Sequence, residues 1–183
     1  MSNKKYLSDY SLEQTIGPRG RVVSEYRYIG SRYSVSPGGL SAGRVKASSV
    51  LLAAAVAVFI AAMIPSSSSM RRFYILLPYA FAAVPLFFAC RGAAVFLLSG
   101  PEYTRMEKDR ISALPGGSLV SAVFILLALA GSVVTGIVSS GFYRPGDWVF
   151  LTLSILLAAV LFCVFSFTRK LSFTEVSGEG KHV

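Results

Sequence analysis

The chain has 183 residues, 54% of them hydrophobic and only 15% charged, with 18 Lys and Arg against nine Asp and Glu. Soluble globular domains carry about 25% charged residues, and here the charges lie almost wholly outside four long apolar runs. An ordinary soluble domain is excluded, and the length leaves no room for a second globular one.

Residues 1–46 read as a basic tail. It holds Lys4, Lys5, Arg19, Arg21, Arg27, Arg32, Arg44 and Lys46 against Asp9, Glu13 and Glu25. No secretory h-region is expected in so polar a stretch. Within it, residues 22–36 predict a small β-hairpin, because Gly30-Ser31 suits a two-residue type II′ turn. Closing that turn would pair Tyr28 with Tyr33 and Tyr26 with Val35, giving an aromatic face and a face bearing Arg27 and Arg32. An isolated hairpin is marginal in water. Cover is expected from the membrane interface or from a third strand within Lys170 to Val176. A disordered tail is the competing expectation. With no binding motif, nucleic acid is not expected as a partner. Juxtamembrane cations more often meet anionic lipid headgroups, and Arg27 and Arg32 are the candidate contacts in this tail.

The apolar runs cover 47–64, 73–94, 118–138 and 148–167. Each comes close to the roughly 20 residues that cross a bilayer as a helix. None shows the polar face that a buried helix of a soluble bundle needs. The second run contains Arg91, a third candidate for a lipid or partner contact, placed near the headgroups where it can snorkel. It also contains Pro78 and Pro85, which share one helix face and favour a kink.

The loop after the second run carries Tyr103, Met106, Ile111 and Leu114. These predict a short amphipathic helix lying on the membrane surface, ended by Pro115-Gly-Gly117. In the third run, Ala128, Ser132, Gly136 and Ser140 recur every four residues, a spacing that lets helix backbones approach closely. This row serves either the chain's own bundle or a partner. Residues 168–183 form a C-terminal tail, with Arg169, Lys170 and Lys181, on the same side as the N-terminal one.

Positive charge accumulates on the cytoplasmic side of membrane proteins. An alternating four-span topology puts fourteen Lys and Arg on the side of the termini and three, Arg71, Arg72 and Arg144, on the other. The expected fold is therefore an all-α four-transmembrane-helix bundle in the cell membrane, with both termini cytoplasmic and a small hairpin in the N-terminal tail.

Asp, Glu, His and Lys are absent from all four runs, and the one histidine is His182. Ion-coupled transporters usually keep an intramembrane ionisable group. Cys90 and Cys163 lack metal or redox spacing and read as packing residues. No catalytic, metal-binding or cofactor-binding residue is expected, and so no enzyme. The expected role is an accessory or scaffold subunit docking on a membrane protein through small-residue helix faces. The alternative is a small homo-oligomeric facilitator or exporter of a neutral or amphipathic substrate.

Overall fold

The computed structural model describes residues 3–16, 22–35, 42–64, 71–138 and 145–176. A 3-10 turn at Asn3–Asp9 leads into β1 (Tyr10–Ile16), β2 (Val22–Tyr28) and β3 (Arg32–Val35). Four helices follow, α1 (Ala42–Ala61), α2 (Phe73–Leu98), α3 (Arg105–Val138) and α4 (Pro145–Thr168), and the described chain closes with β4 (Phe173–Val176). The molecule is mostly helical, and all four helices are long and apolar enough to span a membrane.

The helices pack in chain order around the bundle. α2 meets α1 and α3, α4 meets α3 and α1, and α2–α3 is the most extensive contact. Their shared core includes Leu52, Ile75, Tyr79, Ile125, Phe150, Leu157 and Leu161. Large apolar side chains also cover the outside, among them Phe81, Phe87, Val134, Leu156 and Phe162. Soluble monomers rarely expose contiguous apolar surface on this scale. The bundle is apolar on both sides of its helices.

Two glycines set the α2–α3 approach. A Cβ on Gly117 would lie 2.6 Å from the Pro85 carbonyl oxygen, and one on Gly92 would lie 2.5 Å from that of Arg110. One turn beyond Gly117, Ser121 donates to the Ala82 carbonyl at 3.1 Å. These contacts account for the largest departure from the sequence reading. The expected surface helix and the third span form one continuous helix, running through Pro115-Gly116-Gly117. Pro115 has no N–H to offer Ile111, but the turn is held elsewhere, with Ser118 Oγ donating to the carbonyls of Leu114 and Pro115. The residues that resemble a helix stop are the ones that let α3 lie close against α2.

The hairpin expected at 22–36 does not form. Tyr28 pairs with Tyr10 rather than Tyr33, in a seven-pair antiparallel ladder that joins β2 to β1. Tyr33 pairs instead with Glu175, because β3 joins β4. Gly30-Ser31 is thus the crossing from one two-stranded sheet to the other. Two physical reasons favour this arrangement. The expected hairpin offers four pairs against seven, and Gly30 does not adopt the left-handed backbone that a type II′ turn needs. The N–H groups of Ile29 and Gly30 both go to the Asp9 carbonyl, at 2.8 and 3.2 Å. The C-terminal segment does supply a strand, as one of the two expected forms of cover, but its partner is β3.

Candidate functional site: a folded cap at one end of the bundle

The end of the bundle that carries both tails is built from three chain segments far apart in sequence. Tyr33 exchanges backbone hydrogen bonds with Tyr103 of the α2–α3 loop, N to O at 2.8 and 2.7 Å. The loop thereby takes the edge of β3 opposite β4. Beneath this sheet lies a second apolar cluster in which Val45 of α1, Phe96 of α2, Tyr103 and Ile111 of α3 are buried. Val35, Leu171 and Phe173 pack against it from the two tails. Tyr103 stacks on Phe96 and meets Phe173 edge-on, with ring centroids 5.9 and 6.3 Å apart. Both are favourable aromatic geometries. Lys108 Nζ stands 3.9 Å from the centroid of the Tyr33 ring, a cation–π contact from α3 to β3.

Thr104-Arg-Met-Glu107 starts α3 as a capping box. Thr104 N–H and its hydroxyl donate to Glu107 Oε2 at 2.8 and 3.0 Å, and Glu107 N–H donates back to Thr104 Oγ1 at 3.4 Å. The second carboxylate oxygen accepts from Ser99 Oγ at 2.8 Å, so Glu107 also holds the end of α2. The sequence carried this signal in its spacing. Reading residues 103–114 as an independent surface helix passed over it. Replacing Glu107 with Ala should cost about 1 kcal/mol, the usual value of a helix cap. Amide exchange in the first turn of α3 should then quicken about fivefold, which mass spectrometry in detergent would resolve.

The β1–β2 hairpin is tied to the same helix start. Tyr6 Oη donates to Asp109 Oδ2 at 2.8 Å. Arg105 N–H donates to Tyr28 Oη at 3.0 Å, and that hydroxyl donates to the Ser31 carbonyl at 2.8 Å. Burial raises the phenol pKa of Tyr28 and of Tyr103, the latter further through the Glu107 charge. Both rings therefore remain neutral near pH 7. A Cβ at Gly30 would fall 2.7 Å from Tyr28 Oη and 2.9 Å from Asp9 Cβ. Gly30→Val should therefore detach the hairpin through crowding. Faster proteolysis of the N-terminal segment would report it.

The three candidate arginines are separated. Arg27 Nη1 lies 3.1 Å from Glu13, diagonally across β1–β2, and Arg32 Nη1 lies 2.8 Å from Glu102. Each guanidinium thus faces an internal carboxylate, in exposed pairs typically worth at most about 1 kcal/mol. Arg91 is exposed on α2, one residue before Gly92, whose packing on the Arg110 carbonyl puts it level with the charged turn of α3. In the small-residue row, Ala128 and Ser132 are fully buried in the chain's own bundle and Gly136 is half-buried. Ser140 lies outside the described residues. Among the described residues, no three His, Cys, Asp or Glu side chains cluster as a metal site.

Comparison with protein-family models, curated proteins and solved structures found no match. Fold and surface alone carry the functional argument.

Proposed function

We propose that this is a non-catalytic four-span protein of the cell membrane, with both termini cytoplasmic, acting as an accessory or scaffold subunit. One observation carries the reading. The N-terminal segment, the α2–α3 loop and the C-terminal segment are knitted into a single cap, through the Tyr33–Tyr103 bridge and the β3–β4 pairing. A cap fixed to the helices presents a defined surface, as a binding subunit requires. The docking surface is assigned to the cap in place of the small-residue row, because Ala128 and Ser132 are enclosed by the chain's own helices. Close packing of small residues then serves the monomer.

The bilayer placement rests on the outward-facing apolar side chains and on the asymmetry of Lys and Arg. Among the described residues, the bundle's buried polar side chains are serines, a threonine and Asp147, the last in the first turn of α4, where the helix dipole favours a negative charge. Several of these hydroxyls return to a carbonyl one turn back in their own helix, as Ser49 does to Val45 and Thr168 to Val164. Such bonds satisfy the hydroxyl without building a coupling site.

Purification of the full chain from its own membranes in mild detergent tests the role. A stoichiometric membrane partner, lost when Tyr33→Pro breaks the bridge to Tyr103, is the expected result. A homo-oligomer without a partner that passes a neutral solute in liposomes would overturn it in favour of a facilitator.

A further inference from the structure

The β1–β2 hairpin has two unlike faces. Directly paired residues share a face, so the ladder puts Tyr10, Leu12, Val22, Tyr26 and Tyr28 on one side, together with the polar pair Gln14 and Ser24. Ser11, Glu13, Glu25 and Arg27 lie on the other. The first face is uncovered over most of its length, with Leu12 53%, Val22 62% and Tyr26 74% exposed. A two-stranded hairpin with a bare apolar face is marginal in water, so this face needs an occupant.

Its direction is set by Tyr28. That ring belongs to the apolar face, and its hydroxyl accepts the N–H of Arg105 in the first turn of α3. The first N–H groups of a helix point outward along its axis, so the hairpin lies across the end of α3 with its apolar face turned toward the helices. Beyond Tyr28 the same face continues through Tyr26 and Leu12, crosses the polar pair Gln14 and Ser24, and reaches Val22, away from this anchor.

The charge around it fits an anionic surface. Arg44, Lys46, Arg91, Arg169 and Lys170 are exposed at this end of the bundle. None has a carboxylate within ion-pair range among the described residues. They come from the start of α1, the last third of α2 and the end of α4. Juxtamembrane cations each add about 1 kcal/mol of attraction to anionic lipid.

We propose that the β1–β2 hairpin is a membrane-surface element, with Leu12, Val22 and Tyr26 sunk into the headgroup layer of an anionic bilayer whose phosphates are drawn by these five cations. The proposal rests on the bilayer placement given above. It moves lipid contact away from Arg27 and Arg32, which already face carboxylates, to the apolar face opposite Arg27.

Tryptophan fluorescence in nanodiscs tests it on the full chain, using lipids brominated near the top of the acyl chains. Trp148, the only tryptophan, is exposed near the start of α4 and reports the bilayer placement in the unmodified protein. A second protein carries Trp148→Phe with Tyr26→Trp, or with Leu12→Trp should the first not fold. The expected result is blue-shifted emission that loses at least about half its intensity to brominated lipid, as burial in the headgroup–acyl boundary implies. Quenching should be greater in discs containing phosphatidylglycerol than in purely phosphatidylcholine discs. Changing Arg44, Lys46, Arg169 and Lys170 to Gln should remove that difference. Water-like emission without quenching would overturn the proposal, and so would blue-shifted emission without quenching, which means a protein covers the face. Quenching equal in both lipids would overturn the role of the cations. If Trp148 itself escapes quenching, the bilayer placement fails; if Trp148 is quenched and the hairpin tryptophan is not, only the hairpin proposal fails.

Discussion

Alanine at Gly117 should lower the unfolding temperature in detergent by about 2–12 °C, whereas alanine at the adjacent Gly116 should leave it unchanged or raise it by a few degrees. The two glycines share a helix and a local sequence and differ in what surrounds them. A Cβ at Gly117 meets the Pro85 carbonyl at 2.6 Å and Ala89 Cβ at 3.1 Å, and neither is the far end of a flexible side chain. α2 and α3 would have to separate along the longest seam of the bundle, and overpacking of this kind costs about 1–3 kcal/mol. At Gly116 nothing lies within 4 Å of the added atom. There, alanine removes backbone freedom from the unfolded chain and gains about 0.5–1 kcal/mol in a helix interior. Leucine at Gly117 should prevent folding outright. Equal thermal stability of the two alanine variants would show that α2 and α3 do not approach as closely as described.

The second large effect is expected at Tyr79, which is fully buried among three helices. Its ring stacks on Phe59 of α1 at 4.7 Å and lies 5.6 Å from Phe150 of α4. Its hydroxyl donates to the Phe59 carbonyl at 2.8 Å. That carbonyl lies in the last turn of α1, where the next available donor, Met63 N–H, has turned to Ile60 instead. Tyr79 thus caps the C-terminal end of α1 from a neighbouring helix, an end that otherwise leaves carbonyls unpaired. Tyr79→Phe keeps the stack and orphans the carbonyl, at about 1–3 kcal/mol. Tyr79→Ala also opens a cavity where three helices meet and should cost about 3–5 kcal/mol. Chemical denaturation of the purified variants would rank them wild type, Phe, Ala. Near-equality of Phe and wild type would mean that the hydroxyl bond contributes nothing.

The four helices were legible because hydrophobic runs of this length have few other uses. Each observed helix contains most of its expected span, and the differences fall at the ends. α1 begins at Ala42 and stops at Ala61, and α2 runs on to Leu98. Pro115-Gly-Gly117 misled because local breaker chemistry was read without its partner. In isolation those residues end a helix, and against Pro85 and Ala89 they are what allows contact.

The hairpin misled in a similar way. Gly30-Ser31 is a good turn by composition, but register follows the longer ladder, and β1 carries Tyr10, Leu12 and Ile16 at the strand period. That alternation, followed by Gly17-Pro18-Arg19-Gly20, was visible in a tail that its charge suggested was unstructured. The cap was legible only in part. A strand within Lys170 to Val176 was expected beside this segment and does pair with β3, but nothing in the sequence near Tyr33 announces Tyr103 as its other neighbour, and only the folded helices bring that loop to it. The capping box at Thr104 and Glu107 was the one local clue to how the α2–α3 loop is held.

The central proposal is that the four-helix bundle spans the membrane with its cap, built from both tails, facing the cytoplasm. Sided labelling of single cysteines in intact cells tests this most directly, in a background with Cys90→Ala and Cys163→Ala. Ser67→Cys, between α1 and α2, should react with an impermeant maleimide from outside, whereas Gly178→Cys, beyond β4, should react only after permeabilisation. Reaction of Gly178→Cys in intact cells, with Ser67→Cys protected, would invert the topology and place the cap on the wrong side of the membrane.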